Sequence, residues 1–169
     1  MAVRKQLDLD DAPDTLVFRK LVAILKADKT MRRVFGPERP AAIRSWEGEP
    51  HDKAPLSIDQ APCVRLTPTG GPQHFWNPSS MRGELVIDLE VCVKGICVDD
   101  VRNLWYAMFR AFYPQDTTAA QTIRSTLQTL GARTGLVIFT KPIANPQPDG
   151  TYQLASGQIQ IECNFNAGQ

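Results

Sequence analysis

Apolar and polar residues alternate most regularly over residues 83–94, where Leu85, Ile87, Leu89, Val91 and Val93 interleave with Glu84, Val86, Asp88, Glu90 and Cys92. A period of two over that length predicts a strand with one face in a core and the other largely polar. Antiparallel sheets covered on one side produce this pattern, whereas strands of doubly wound parallel sheets are apolar on both faces. The alternation returns at 152–165, where Ile159, Ile161, Cys163 and Phe165 interleave with Gln158, Gln160, Glu162 and Asn164. Further strands are expected at 134–143 and 63–67, with one short strand at 42–46. The proline- and glycine-containing segment 144–150 reads as the loop of a closing hairpin.

Helical spacing marks three other stretches. At 15–28, Leu16, Val17, Leu21, Ile24 and Leu25 fall on one stripe while Arg19, Lys20 and Lys26 take the remaining face, the pattern of a helix that covers a core from outside. Asp14 is its expected N-cap, with Pro13 just outside. A second helix is expected at 100–113, capped by Asp99 or Asp100, with Val101, Leu104, Trp105, Met108 and Phe112 on its stripe and Pro114 as its stop. A third, weaker one starts at a Thr117 or Thr118 cap and carries Ile123, Leu127 and Leu130, with Gly131 ending it in a left-handed conformation. Residues 36–62 show neither period and read as an extended arm with many prolines. Residues 68–82 read as an irregular loop. The expected architecture is a single α+β domain over 1–169: an antiparallel sheet of about four strands with helices packed on one face, plus long irregular arms.

Composition narrows the functional classes. With 43% hydrophobic residues in 169, the chain can fill one core. A formal net charge of +1 with 22% charged residues lacks the basicity of a non-specific nucleic-acid binder and the acidity of a solvating tail. The first residues are basic and then acidic, unlike a secretory leader, and no apolar run approaches the roughly 20 residues of a membrane span. The expectation is a soluble protein, made in a host cytoplasm, without a membrane partner. The four cysteines, Cys63, Cys92, Cys97 and Cys163, read as small buried hydrophobes in a reducing compartment. Cys92 and Cys97 lack the close pairing and nearby histidine of a zinc site.

Catalytic groups are scarce. The two histidines, His51 and His74, lie in proline-flanked polar segments, which favours exposure to solvent. Gly70-Gly71 has no downstream lysine and hydroxyl residue of a phosphate loop and is followed by Pro72, which has no amide to donate. Asp88 and Glu90 share one strand face, yet no third ligand accompanies them, so a solvated face is the simpler reading. Nucleic-acid platforms interleave basic and aromatic residues on a sheet, whereas this face offers Glu, Asp, Gln and Asn. No enzyme activity, cofactor or metal is expected. Trp105, Phe109 and Phe112 belong to a helix stripe, where core packing explains them. Trp46, Phe75 and Trp76 lie in proline-rich segments, and they are candidates either for an intermolecular contact or for folding back on their own domain.

Three stretches together resemble the tail terminator, or tail-completion, proteins that join heads to tails in long-tailed bacteriophages. They are the first helix ending in Thr30-Met31-Arg32-Arg33-Val34-Phe35, the unit from Glu84-Leu85-Val86-Ile87-Asp88-Leu89-Glu90-Val91 through Asp100-Val101-Arg102-Asn103-Leu104-Trp105, and the ending from Asp149-Gly150 through Ala155-Ser156-Gly157-Gln158-Ile159-Gln160-Ile161. The resemblance is one of layout and apolar pattern over most of the chain, without a short signature. It implies a structural virion protein that forms a homo-oligomeric ring, a hexamer, at the head-proximal end of the tail. Its implied partners are copies of itself, the tail tube protein and a head-completion or connector protein, with DNA only as passing cargo. In such a ring the polar sheet face with Glu84, Asp88, Glu90 and Glu162, beside Gln158 and Gln160, is expected to line the lumen. The arm and the loop are expected to order on assembly, anchored by Trp46, Phe75 and Trp76. Two alternatives stand beside this one: another connector, neck or minor tail protein, and, of a different class, a small nucleic-acid-binding module.

Overall fold

In the computed structural model, the residues described are 12–35, 43–45, 62–77, 80–94, 98–140, 143–146 and 152–165. Four helices and six strands follow in the order α1 (Pro13–Ala27), α2 (Lys29–Phe35), β1 (Ile43–Ser45), β2 (Cys63–Asn77), β3 (Ser80–Lys94), α3 (Val98–Phe112), α4 (Thr117–Thr129), β4 (Ile138–Phe139), β5 (Ile143–Pro146) and β6 (Tyr152–Phe165). The strands make one sheet in the order β1-β2-β3-β6-β4, with β5 also on β6. All pairings are antiparallel except that of β1, which runs parallel to β2 over Ile43↔Val64 to Ser45↔Leu66. The α+β class and the antiparallel sheet expected from the alternation are present. Short β1, β4 and β5 flank the three long strands.

The period of two sets the layering. Val64 and Leu66 on β2, Leu85, Ile87, Leu89 and Val91 on β3, and Ile159 and Ile161 on β6 are all buried on one face. Val17, Leu21 and Leu25 of α1 and Val101, Leu104, Trp105 and Met108 of α3 close over them in one cluster. The helices therefore pack on one face of the sheet, and each fully buried Leu, Ile or Val contributes about 1.5–3 kcal/mol. Trp105 packs against the sheet at Gly157, where an added Cβ would meet the indole Cη2 at 2.5 Å. Phe139 on β4 fills the next space along α3, with ring centroids 6.4 Å from Trp105, 5.8 Å from Phe109 and 5.6 Å from Phe112.

Several boundaries differ from the expectations. Pro13 is the first residue of α1, where its missing amide costs nothing, and Ala12 takes the cap position without a side-chain bond. The helix does not run on through Phe35. It stops at extended Asp28, whose carboxylate accepts the Met31 amide at 2.9 Å and so caps the separate helix α2. Helix α3 begins at Val98, and α4 is capped by Asp116, which accepts the amides of Thr118 and Ala119. Gly131 ends α4 as expected, at φ +117°, with the Gly131 amide donating to Gln128 O and the Ala132 amide to Leu127 O, the pairing that defines a Schellman motif. The single strand expected at 134–143 starts only at Ile138, because Gly135 at φ +65° turns the chain against Arg124, whose Nε donates to Thr134 O at 2.8 Å, and it is split in two where the register on β6 shifts by one residue between Phe139↔Ile159 and Ile143↔Ser156.

The largest correction concerns residues 68–82. The described ones form no loop: β2 continues to Asn77 and β3 begins at Ser80, paired through Pro68↔Ile87, Gly70↔Leu85, His74↔Arg82 and Asn77↔Ser80. A register shift between Gly70 and Gln73 takes up Gly71-Pro72. Proline is tolerated because β1 covers β2 only to Leu66, so Pro68 and Pro72 lie where β2 is the outermost described strand. Of the arm at 36–62, only β1 and Pro62 are described, and the remainder lies outside the described residues. Among the described residues no helix is long and apolar enough to cross a membrane.

Candidate functional site

Across its middle rows, the side of the sheet opposite the helices presents mainly polar side chains, and the buried Cys63–Cys92–Leu154 row lies at one end of the same face. Each long strand turns every second residue that way: Arg65, Thr67 and Thr69 on β2, Glu84, Val86, Asp88 and Glu90 on β3, and Ser156, Gln158, Gln160 and Glu162 on β6. The register puts them in cross-strand rows: Arg65↔Glu90↔Ser156, Thr67↔Asp88↔Gln158, Thr69↔Val86↔Gln160 and Glu84↔Glu162. The four carboxylates expected on this face, Glu84, Asp88, Glu90 and Glu162, are all there.

The structure also brings cations that the sequence reading did not pair with them. Arg65 Nε donates to Glu90 Oε2 at 2.6 Å, and a second guanidinium nitrogen forms an ion pair with the same oxygen. Arg133, from the turn after α4, donates to both oxygens of Glu162 at 2.8 and 2.9 Å. Glu84 and Glu162 lie directly opposite, an arrangement that destabilises a sheet when both charges are bare; the arginine on Glu162 offsets that repulsion. Asp88 accepts Gln158 Nε2 at 3.0 Å. Two of the four carboxylates, Glu90 and Glu162, are thus paired with arginine, and Asp88 with a neutral amide. The half-exposed pairs stabilise the face by only about 0–1 kcal/mol each, so their main effect is to hold side chains in place and dilute the negative charge.

A shallow depression crosses this face, lined by Arg65, Thr67, Asp88, Glu90, Thr140 and Gln158 among others. Thr140 is tied in by its hydroxyl, which accepts the Gln158 amide at 2.8 Å and donates to Gln158 O at 3.3 Å. Asp88 and Glu90, the two carboxylates that share a face of β3, are thus each engaged by a neighbour. Among the described residues no three His, Cys, Asp or Glu side chains gather as metal ligands would. His74 is part of the β2–β3 ladder opposite Arg82, whereas His51 lies outside the described residues. Trp46 lies outside them too. Phe75 and Trp76 belong to β2, with Phe75 opposite Met81, and their side chains lie outside what is described.

Cys63 and Cys92 face each other across β2 and β3, both buried, beside Leu154. A hydrogen bond between the thiols, with burial, raises the Cys92 pKa strongly. Cys163 is fully buried in the main core, and burial first, then the nearby Asp14 charge, pushes its thiol up to about 12. Thiols held neutral in this way are poor nucleophiles and poor metal ligands. All three serve as packing groups. Position 97 lies outside the described residues.

No family model matches the chain, and no curated protein matches it. Among solved structures, a chain in one titled "Virion of native gene transfer agent (GTA) particle" superposes with a TM-score of 0.44 at 10% identity, over 91% of this chain and 96% of that one.

Proposed function

We propose that the chain is a structural protein of a phage-like virion, a ring-forming tail terminator that caps the tail tube and makes the joint to the head. One observation carries this reading beyond the sequence layout: the polar sheet face, where Arg65 is paired with Glu90, Arg133 with Glu162, and Asp88 accepts the Gln158 amide. Such a face suits a wall that DNA passes without adhering, since non-specific affinity grows with each phosphate neutralised by a free Lys or Arg. Arg65 and Arg133 are already committed to carboxylates. The role calls for no chemical step, cofactor or metal.

Light scattering tests the proposal. The protein, alone or mixed with purified tail tubes, should have a mass several times the 18.8 kDa of one chain, six-fold in the expected ring, and should co-sediment with tubes. A mass of one chain at every concentration, with no retention on tubes, overturns it.

A further inference from the structure

Cys63 and Cys92 sit directly opposite each other in the β2–β3 register. Both are free thiols, 1% and 0% exposed, and a hydrogen bond joins them. They lie at the end of the hairpin farthest from its turn, since Cys63 is the first residue of β2 and β3 ends just past Cys92, at Lys94. Opposed residues of an antiparallel pair have Cα atoms about 4.5–5.5 Å apart, inside the roughly 4.4–6.8 Å that a disulfide spans. Their Cβ atoms lie about 4.5–5.5 Å apart, against about 3.8 Å in a disulfide. Closing the bond therefore asks only for a small inward shift, at the open end of a hairpin, where strands yield most easily. Cys163 has no such neighbour, because Gly83 and Ala132 lie opposite it.

We propose that Cys63 and Cys92 are a redox pair that closes into a cross-strand disulfide when the protein meets a peroxide, stapling β2 to β3. The dithiol is the form described above, in which both sulfurs pack. A hydrogen bond to Cys63, burial and the charge of an ionised Cys63 all hold the proton on Cys92, so Cys63 is the sulfur that attacks. Its thiolate bonds to one peroxide oxygen, the O–O bond breaks, and the leaving hydroxide takes up the proton that Cys63 gave up, forming water. Cys92 then attacks the resulting sulfenic sulfur. The S–S bond forms as the S–O bond breaks, and the Cys92 proton leaves with the oxygen as a second water. Two thiols are oxidised and one peroxide is reduced by two electrons. A small oxidant suits a pair this buried, because a bulky disulfide reagent would have to be accommodated as a mixed intermediate.

Burial and the proton held on Cys92 make the reaction slow. The dithiol thus persists in reducing surroundings, and the staple closes where oxidant persists. Taken with the virion reading, on which only this timing rests, subunits assemble as dithiols in a cytoplasm and are stapled after release. The bond links strand ends that are distant in sequence, so it restricts the unfolded chain and favours the folded one. The inward shift leaves it easier to reduce than a relaxed disulfide.

The test uses the full chain with Cys97→Ser, which keeps a further thiol out of the exchange. Folded protein is treated with stoichiometric hydrogen peroxide, unfolded in iodoacetamide, digested and weighed. One linked pair of peptides is expected, joining Cys63 to Cys92 and two hydrogens lighter than the separate peptides together. Cys163 should be alkylated as in untreated protein, and dithiothreitol should restore the separate peptides. The treated chain should also melt several degrees higher, a rise absent in Cys63→Ala and in Cys92→Ala, which share any oxidation of methionine. If both thiols are alkylated as fully as before treatment, or link only once the chain is unfolded in denaturant, the proposal fails. A linked pair without a rise in melting temperature overturns the staple. Light scattering of the same samples reads the ring separately, so a single-chain mass with the bond formed sinks the timing and leaves the redox pair standing.

Discussion

Trp105 and Gly157 fit each other so closely that neither has room to change. The helical stripe already assigned Trp105 to the core, and it is buried. Trp105→Ala should cost about 3–5 kcal/mol in chemical denaturation, the usual penalty for emptying an aromatic site. Gly157→Ala should cost about 1–3 kcal/mol, because the new methyl meets a rigid ring. That second requirement was not legible in the sequence, since it depends on a ring supplied by a distant helix. Cys163 gives a prediction of another kind. Its pKa in the folded chain is about 12 against an ordinary 9.0, so the unfolded chain gives up this proton first as pH rises. The neutral thiol's contribution is present below about pH 9 and is lost between there and pH 12. Stability measured across that window should fall less steeply in Cys163→Ala, by up to one proton's worth of slope, about 1.4 kcal/mol per pH unit.

At the scale of elements, what the sequence showed well was the long repeating pattern, and what it concealed was pairing. The strands at β3 and β6 and the stripes of α1 and α3 were legible because burial imposes a period that survives in the residue order. The hairpin continuing through Pro68 to Asn77 was not, because prolines and glycines tolerated on an outer strand look the same in sequence as those of a loop. The candidate face was half legible. Alternation put its carboxylates together, but Arg65 and Arg133 reach them through cross-strand register and a turn, which no local pattern encodes. A similar long-range tie joins α3 to the segment before β4. The Tyr113 hydroxyl donates to Val137 O at 2.8 Å and accepts the Val137 amide at 2.7 Å. Tyr113→Phe removes both bonds and leaves the amide of buried Val137 unmatched, so equilibrium unfolding should show a loss of about 1–3 kcal/mol.

For the whole molecule, function was readable only as layout, because an assembly role of the kind proposed above needs no fixed set of reactive groups to leave a motif. What it needs is surfaces, and those depend on how the strands are ordered in space. That spatial order also bears on timing. β6 is the last strand in sequence, yet it lies in the interior of the sheet, paired with β3 on one side and with β4 and β5 on the other. Asp88 and Gln158, joined by a hydrogen bond, are 70 residues apart, and closing such distant pairs is slow. Until residue 165 has left the ribosome, β3 lacks its inner neighbour, and the β2–β3 hairpin and the β4 and β5 segments do not yet belong to one sheet. The polar face is therefore completed only after the four described helices that precede β6 have been made.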